Sequence, residues 1–245
     1  MAGTLGIHSF SVGRMDFVAV LREKLSEFGE LITPGVDLAA PVPSCGDWTF
    51  YDLVDHLGQG NMWVVTGVEE GRGDYLGEPA PKDPAELRAW YTDTAAAIDA
   101  ALAVDPETPA WTFTSLLPRT VGFWQRRRAH ETVMHLWDAQ NALGTAVDFE
   151  PAMAADGITE VFEMFAPRMI QRGLAKEPEA GLSVRATDTG DSWTYGPGTP
   201  VAEISGTASD LLLALWQRKG PKDAGLNWQG NWAAGERVLA GPLVP

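Results

Sequence analysis

Glu131 and His135 stand four positions apart in the stretch Gln125-Arg126-Arg127-Arg128-Ala129-His130-Glu131-Thr132-Val133-Met134-His135-Leu136-Trp137-Asp138. On a helix that spacing puts the two side chains on one face, one above the other. A carboxylate oxygen and an imidazole nitrogen are both good ligands for zinc. Two histidines and one carboxylate around it leave a position for water or substrate. The other histidine is expected to be His56, from a second helix. The same trio suits nickel, iron or manganese, so ligand type alone does not choose the divalent metal. Arg128 and Asp138 extend the stripe by one turn on each side. Asp138 or Asp52 could orient a ligand imidazole from behind, although an ordinary helix-surface charge is the simpler expectation for Asp52.

A plain surface helix would show a similar stripe. At about 100° per residue, Trp124, Arg128, Glu131, His135 and Asp138 fall within an arc of about 80°, which could simply face water. Two features favour a site. The helix is apolar around much of its circumference, and His56 shares a stripe with Leu53, Gly60, Trp63 and Gly67. The string His130-Glu131 is not the start of a zinc-protease H-E-x-x-H motif, because position 134 is Met. His130 is therefore expected to be a flanking residue. Cys45 has no activating neighbour in sequence and reads as a small packed side chain. Nucleophile elbow, phosphate loop and dinucleotide fingerprint are all missing from the sequence.

The elements that must position these groups follow from periodicity and punctuation. Residues 15–32 have helical spacing and are stopped by Pro34-Gly35. Thr49 and Asp52 resemble a capping box for a helix reaching Glu70, on which Gly60 would allow close approach of a neighbour. Asp83-Pro84 opens a third helix ending near Val104. Pro118 is expected to open a fourth, which Gly144 ends. Four such helices predict a bundle with inward-facing ligands. A further helix is expected over residues 151–172. Strands are expected at residues 182–187, 192–195 and 201–205, then a capped helix from Thr207 and a last strand at residues 236–240. The fold class is thus α+β. Residues 1–14 read as a loose extension with an inert His8, residues 15–150 as the four-helix bundle, and residues 151–245 as a bridging helix plus a small α+β domain.

The formal net charge of −15 argues against a nucleic-acid or anionic-membrane partner. No apolar run approaches the roughly 20 residues of a membrane span, and residues 1–14 make a poor signal peptide. A single cysteine excludes an intrachain disulfide and suits a cytoplasmic location.

With these residues in view, the chain resembles the mycothiol-dependent maleylpyruvate isomerase family, within the wider DinB-like metal-binding bundles. The likeness rests on Asp47-Trp48-Thr49 with Asp52-Leu53-Val54-Asp55-His56-Leu57, and on Arg128 through Ala139. It continues in Ala154-Ala155-Asp156-Gly157-Ile158, in Thr187-Asp188-Thr189-Gly190-Asp191-Ser192-Trp193, and in Ser205-Gly206 with Leu211-Leu212 and Leu215-Trp216-Gln217-Arg218. The resemblance implies a metal held by His56, Glu131 and His135, and a sterol-carrier-like C-terminal domain. It implies mycothiol as thiol cofactor and a small electrophilic substrate, handled by cis–trans isomerisation or S-transfer. A C-terminal arginine is thought to serve the family's reaction. Arg218 is the nearest match, although Gln217 stands where many relatives have Gly. Arg218 or Arg128 could hold a substrate carboxylate. The competing expectation is a non-catalytic protein that binds a metal or small ligand in a groove between the domains. Monomer and homodimer both remain open.

Overall fold

The computed structural model describes residues 6–8 and 15–245, and the chain divides into two compact units. One comprises residues 15–147. The other takes residues 148–245 together with Gly6–His8. The division falls after Val147.

The first unit is the expected four-helix arrangement: α1 Phe17–Leu31, α2 Phe50–Glu69, α3 Pro84–Leu102 and α4 Val121–Ala142. Side chains set three of the starts. Asp16 accepts from the Ala19 amide. Thr49 and Asp52 form a reciprocal capping box, and Asp83 accepts from the Ala85 and Glu86 amides ahead of Pro84. The fourth helix begins three residues after Pro118. Residues 109 and 120 form an antiparallel bridge, and the amides of Val121 and Gly122 bond back to Thr108 and Pro106. That pairing holds the segment extended until Val121. Helix α1 packs chiefly on α4, and α2 on α3. Phe28 joins them, stacked on Phe50 at 6.3 Å and tilted against Tyr91 at 5.1 Å. A Cβ at Gly60 would lie 3.0 Å from Arg128 Nη1, so this glycine makes room for a side chain of α4.

The second unit holds a mixed sheet in the order β1-β3-β2-β4-β5. Its strands are β1 Gly6–His8, β2 Gly181–Ala186, β3 Ser192–Tyr195, β4 Pro200–Gly206 and β5 Asn227–Gly230. Strands β2 and β3 form a hairpin, β4 runs parallel to β2, and β5 returns antiparallel to β4. The helices are α5 Pro151–Glu160, α6 Ala166–Gln171, α7 Ala208–Leu215 and α8 Trp232–Leu239. The Trp193 indole donates to Thr159 Oγ1 at 2.9 Å, fastening the sheet to α5.

Three expectations need correction here. Residues 6–8 are not loose, because Gly6, Ile7 and His8 pair with Thr194, Trp193 and Ser192; the side chain of His8 lies outside the described residues. The strand expected at residues 236–240 is helical. Asn231 caps α8 by accepting from Ala234 N, and a strand unforeseen from sequence, β5, precedes it. The helix over residues 151–172 is present but carries a wide π turn, Val161–Phe165, between α5 and α6. Pro167 follows at once. Its ring and missing N–H conflict with ordinary helical bonding to the preceding turn, and a wider turn relieves that conflict. Among the described residues, no helix is long and apolar enough to cross a membrane.

Candidate metal centre

Helix α4 is buried around most of its circumference. The polar stripe is therefore not a solvent face: side-chain exposure is 19% for Glu131, 8% for His135 and 0% for Asp138. Helix α2 lies against α4 and brings His56 to Glu131, 75 positions away in sequence.

Three ligand atoms converge. Glu131 Oε1 lies 3.2 Å from His56 Nε2 and 3.2 Å from His135 Nε2. Ligand atoms about 2.0–2.1 Å from a tetrahedral zinc sit about 3.3 Å from one another, close to both of these separations, and all three atoms lie within 4.8 Å of one another. His56, Glu131 and His135 form one of two groups among the described residues that could hold a metal ion. The other, Cys45, His135 and Asp138, shares an imidazole with it.

The surroundings assign each donor atom. His135 Nδ1 is 2.9 Å from Asp138 Oδ2. With Nδ1 donating there, Nε2 is the nitrogen turned to Glu131, the one a metal ion would take in place of a proton. Glu131 Oε2 accepts from Arg127 Nη2 at 2.7 Å. Asp138 also accepts from Ser44 Oγ at 2.5 Å and from Cys45 Sγ at 3.4 Å. Trp48 walls the site, its ring 4.8 Å from that of His56 and 6.3 Å from that of His135. His56 is the open side, with 39% of its side chain exposed.

Electrostatics follow from this packing. Burial works against ionised Glu131, but Arg127, then hydrogen bonds with His135 and His56, outweigh it and hold the carboxyl well below the usual range. Burial likewise works against protonated His135. Bonds to Asp138, Cys45 and Glu131 outweigh that, so the imidazole lies well above its ordinary value. In the protein alone, a proton on His135 occupies charge space that a cation could take.

The remaining sequence candidates fall in other places. Arg128 is buried in the bundle, donating to Asn61 Oδ1 at 2.7 Å and to the Leu57 carbonyl at 3.4 Å. Asp52 is engaged in the cap of α2. His130 packs its ring 5.9 Å from that of Phe17 on α1, in keeping with a flanking role. Arg218 lies in the second unit beyond α7, its Nη1 donating to the Trp216 carbonyl at 2.8 Å and its guanidinium 5.6 Å from the Trp216 ring centre. Cys45 does have polar neighbours in space, contrary to the sequence reading. Arg127, Ser44 and Trp48 were missed. Arg127 had a usable signal, since it precedes Glu131 by the same four positions that separate Glu131 from His135. Ser44 and Cys45 had none, because their partner Asp138 is more than ninety positions away.

Fold and site together define a helical bundle with a histidine–carboxylate centre, joined to an α+β domain. The model of the mycothiol maleylpyruvate isomerase N-terminal domain matches residues 18–140, and that of the MDMPI C-terminal domain matches residues 152–237. The chain belongs to the mycothiol-dependent maleylpyruvate isomerase family. Its fold resembles the crystal structure of the mycothiol-dependent maleylpyruvate isomerase, with a TM-score of 0.64 over 87% of this chain and 91% of that one, at 15% identity. Among curated sequences, the uncharacterized protein Rv0036c of Mycobacterium tuberculosis (strain ATCC 25618 / H37Rv) is 26% identical over 92% of this chain and 96% of its own length. Rv0738 of the same strain is 26% identical over 54% of this chain and 68% of its own.

Proposed function

We propose that His56, Glu131 and His135 hold a divalent metal ion, zinc ahead of nickel, iron or manganese. On this reading the protein is an enzyme that adds a low-molecular-weight thiol, mycothiol, to a small electrophile. The outcome is cis–trans isomerisation if the thiol leaves again, or S-transfer if it stays. The observation that carries the reading is the convergence of both histidine Nε2 atoms on Glu131 Oε1 at 3.2 Å. A divalent cation bound there would favour the thiolate form of a thiol, which is the reactive nucleophile.

The chain's own residues prepare that chemistry. Asp138 holds the His135 tautomer, and Arg127 holds one oxygen of Glu131 and keeps it ionised. Trp48 covers the histidines and limits water on that side, while the exposed edge of His56 leaves an approach for small molecules. Glu131 acts as a ligand rather than a general base, because both of its oxygens are already committed.

The test is metal and small-molecule mass spectrometry on the purified protein, with zinc and nickel titrations followed by thermal melting. One equivalent of metal should bind and raise the melting temperature, and His56→Ala should abolish the rise. Thiol-dependent turnover of maleylpyruvate or a related electrophile should then require the bound metal. A protein that retains no metal and gains no stability from zinc or nickel refutes the reading. One that binds metal but turns over no electrophile is a binding protein.

A further inference from the structure

Glu131 divides its two oxygens between two jobs. Oε1 faces His56 and His135, and Oε2 takes the Arg127 guanidinium at 2.7 Å. Arg127 and Glu131 are four apart on α4, in step with His135 four further on. The Arg127 side chain is only 4% exposed, so the surrounding packing fixes where its guanidinium can go. A carboxylate can otherwise grip a metal through both oxygens, filling a position that a catalytic centre keeps open.

We infer that Arg127 is a positioning residue that restricts Glu131 to one coordinating oxygen and thereby reserves a coordination position for an incoming thiol. This rests on the ligand reading proposed above and specifies how that centre stays open. Turning Oε2 toward a metal would break a charge-assisted hydrogen bond made inside the bundle. Sequence spacing alone would not separate Arg127 from Arg128 in this role. The structure does, because Arg128 bonds to Asn61 and Leu57 while Arg127 bonds to Glu131.

Cobalt(II) substitution tests this, because its visible absorption is intense in four-coordinate sites and several-fold weaker at higher coordination. Metal-free protein is titrated with cobalt, and 2-mercaptoethanol is then added as a thiol probe. The wild type should bind one equivalent with intense visible bands and gain a sulfur-to-cobalt charge-transfer band with the thiol. Arg127→Met and Arg127→Leu, which cannot donate to Oε2, should each bind cobalt with several-fold weaker visible bands and a diminished thiol band. Arg127→Lys, which can still donate to Oε2, should restore both. The leucine variant carries the test if the methionine variant does not fold. Wild-type intensity in the charge-removed variants, with cobalt still bound, overturns the role of Arg127 and leaves the ligand set standing. Failure of the wild type to bind cobalt, or unchanged binding by His56→Ala, overturns the ligand set and this inference with it.

Discussion

Asp138→Asn isolates what a buried carboxylate does for the centre. Asp138 is fully buried and accepts from three donors: Ser44 through Oδ1, and His135 and Cys45 through Oδ2. Asparagine keeps the shape, replaces one oxygen with an NH2 group and removes the charge. Ser44 can rotate its hydroxyl to accept from that NH2. His135 cannot accept at Nδ1 and still present Nε2 to a metal as a neutral ring. The side chain should therefore settle with its oxygen toward His135, leaving geometry intact and charge lost. A charge-assisted hydrogen bond is roughly twice as strong as a neutral one. Loss of such a partner behind a ligand histidine typically costs about 10- to 100-fold in metal affinity, or about 1.4–2.7 kcal/mol. The assay is zinc titration in competition with a chromophoric chelator. Asp138→Asn should bind one equivalent about 10- to 100-fold more weakly than wild type, and His135→Ala should bind weaker still. Wild-type affinity in Asp138→Asn would refute the contribution of the carboxylate charge, and loss as complete as in His135→Ala would mean that the geometry had collapsed instead.

Metal-free protein should lose stability on both sides of a mildly acidic optimum. The depressed Glu131 stabilises above its ordinary value of 4.5, and that contribution disappears as pH falls through the folded value. The elevated His135 stabilises fully below its ordinary 6.5, and that contribution is lost as pH rises through the folded value. Chelator-treated samples melted across pH should show the optimum between these values, and zinc should stabilise increasingly above 6.5; an apoprotein that gains stability with rising pH there contradicts the assignment. Thr49→Ala should remove the capping box of α2 and cost about 0.5–2 kcal/mol in urea denaturation, whereas an unchanged midpoint would show that packing alone sets that helix start. In α8, a Cβ at Gly235 would meet Trp228 at 2.6 Å, Ala202 at 3.0 Å and Leu182 at 3.1 Å. Gly235→Ala should therefore destabilise the protein by about 1–3 kcal/mol despite better helix propensity, and a stabilised variant in calorimetry would refute the crowding.

Local rules made much of the first unit legible. Thr49, Asp52, Asp83 and Pro84 are signals that act within three residues of themselves, and the helices start where they say. The convergence of His56, Glu131 and His135 was legible for a different reason, because each residue lies on a helix whose phase is readable and because the neighbouring residues resemble one family. What stayed hidden depended on packing between distant segments. Adjacent Arg127 and Arg128 differ by one helical step, yet one serves Glu131 and the other Asn61, and only the contact of α2 with α4 decides which. Cys45 looked isolated because its neighbours come from α4. The residues at 236–240 have a strand-like composition, but Asn231 and the sheet beneath them select a helix.

The connection between α1 and α2 is more than a spacer. It is folded back on itself by the bonds Val42 N to Trp48 O, Phe50 N to Ala40 O and Cys45 N to Val42 O, and its tip is bonded to Asp138. Surface loops usually absorb insertions well, and a library of this protein would be expected to accept them in the exposed turn between β3 and β4. Residues 42–48 should be a gap in that tolerance map. Added length there would lift Ser44, Cys45 and Trp48 together, so the chain's permissible edits are restricted at a loop that carries none of the three candidate ligand residues.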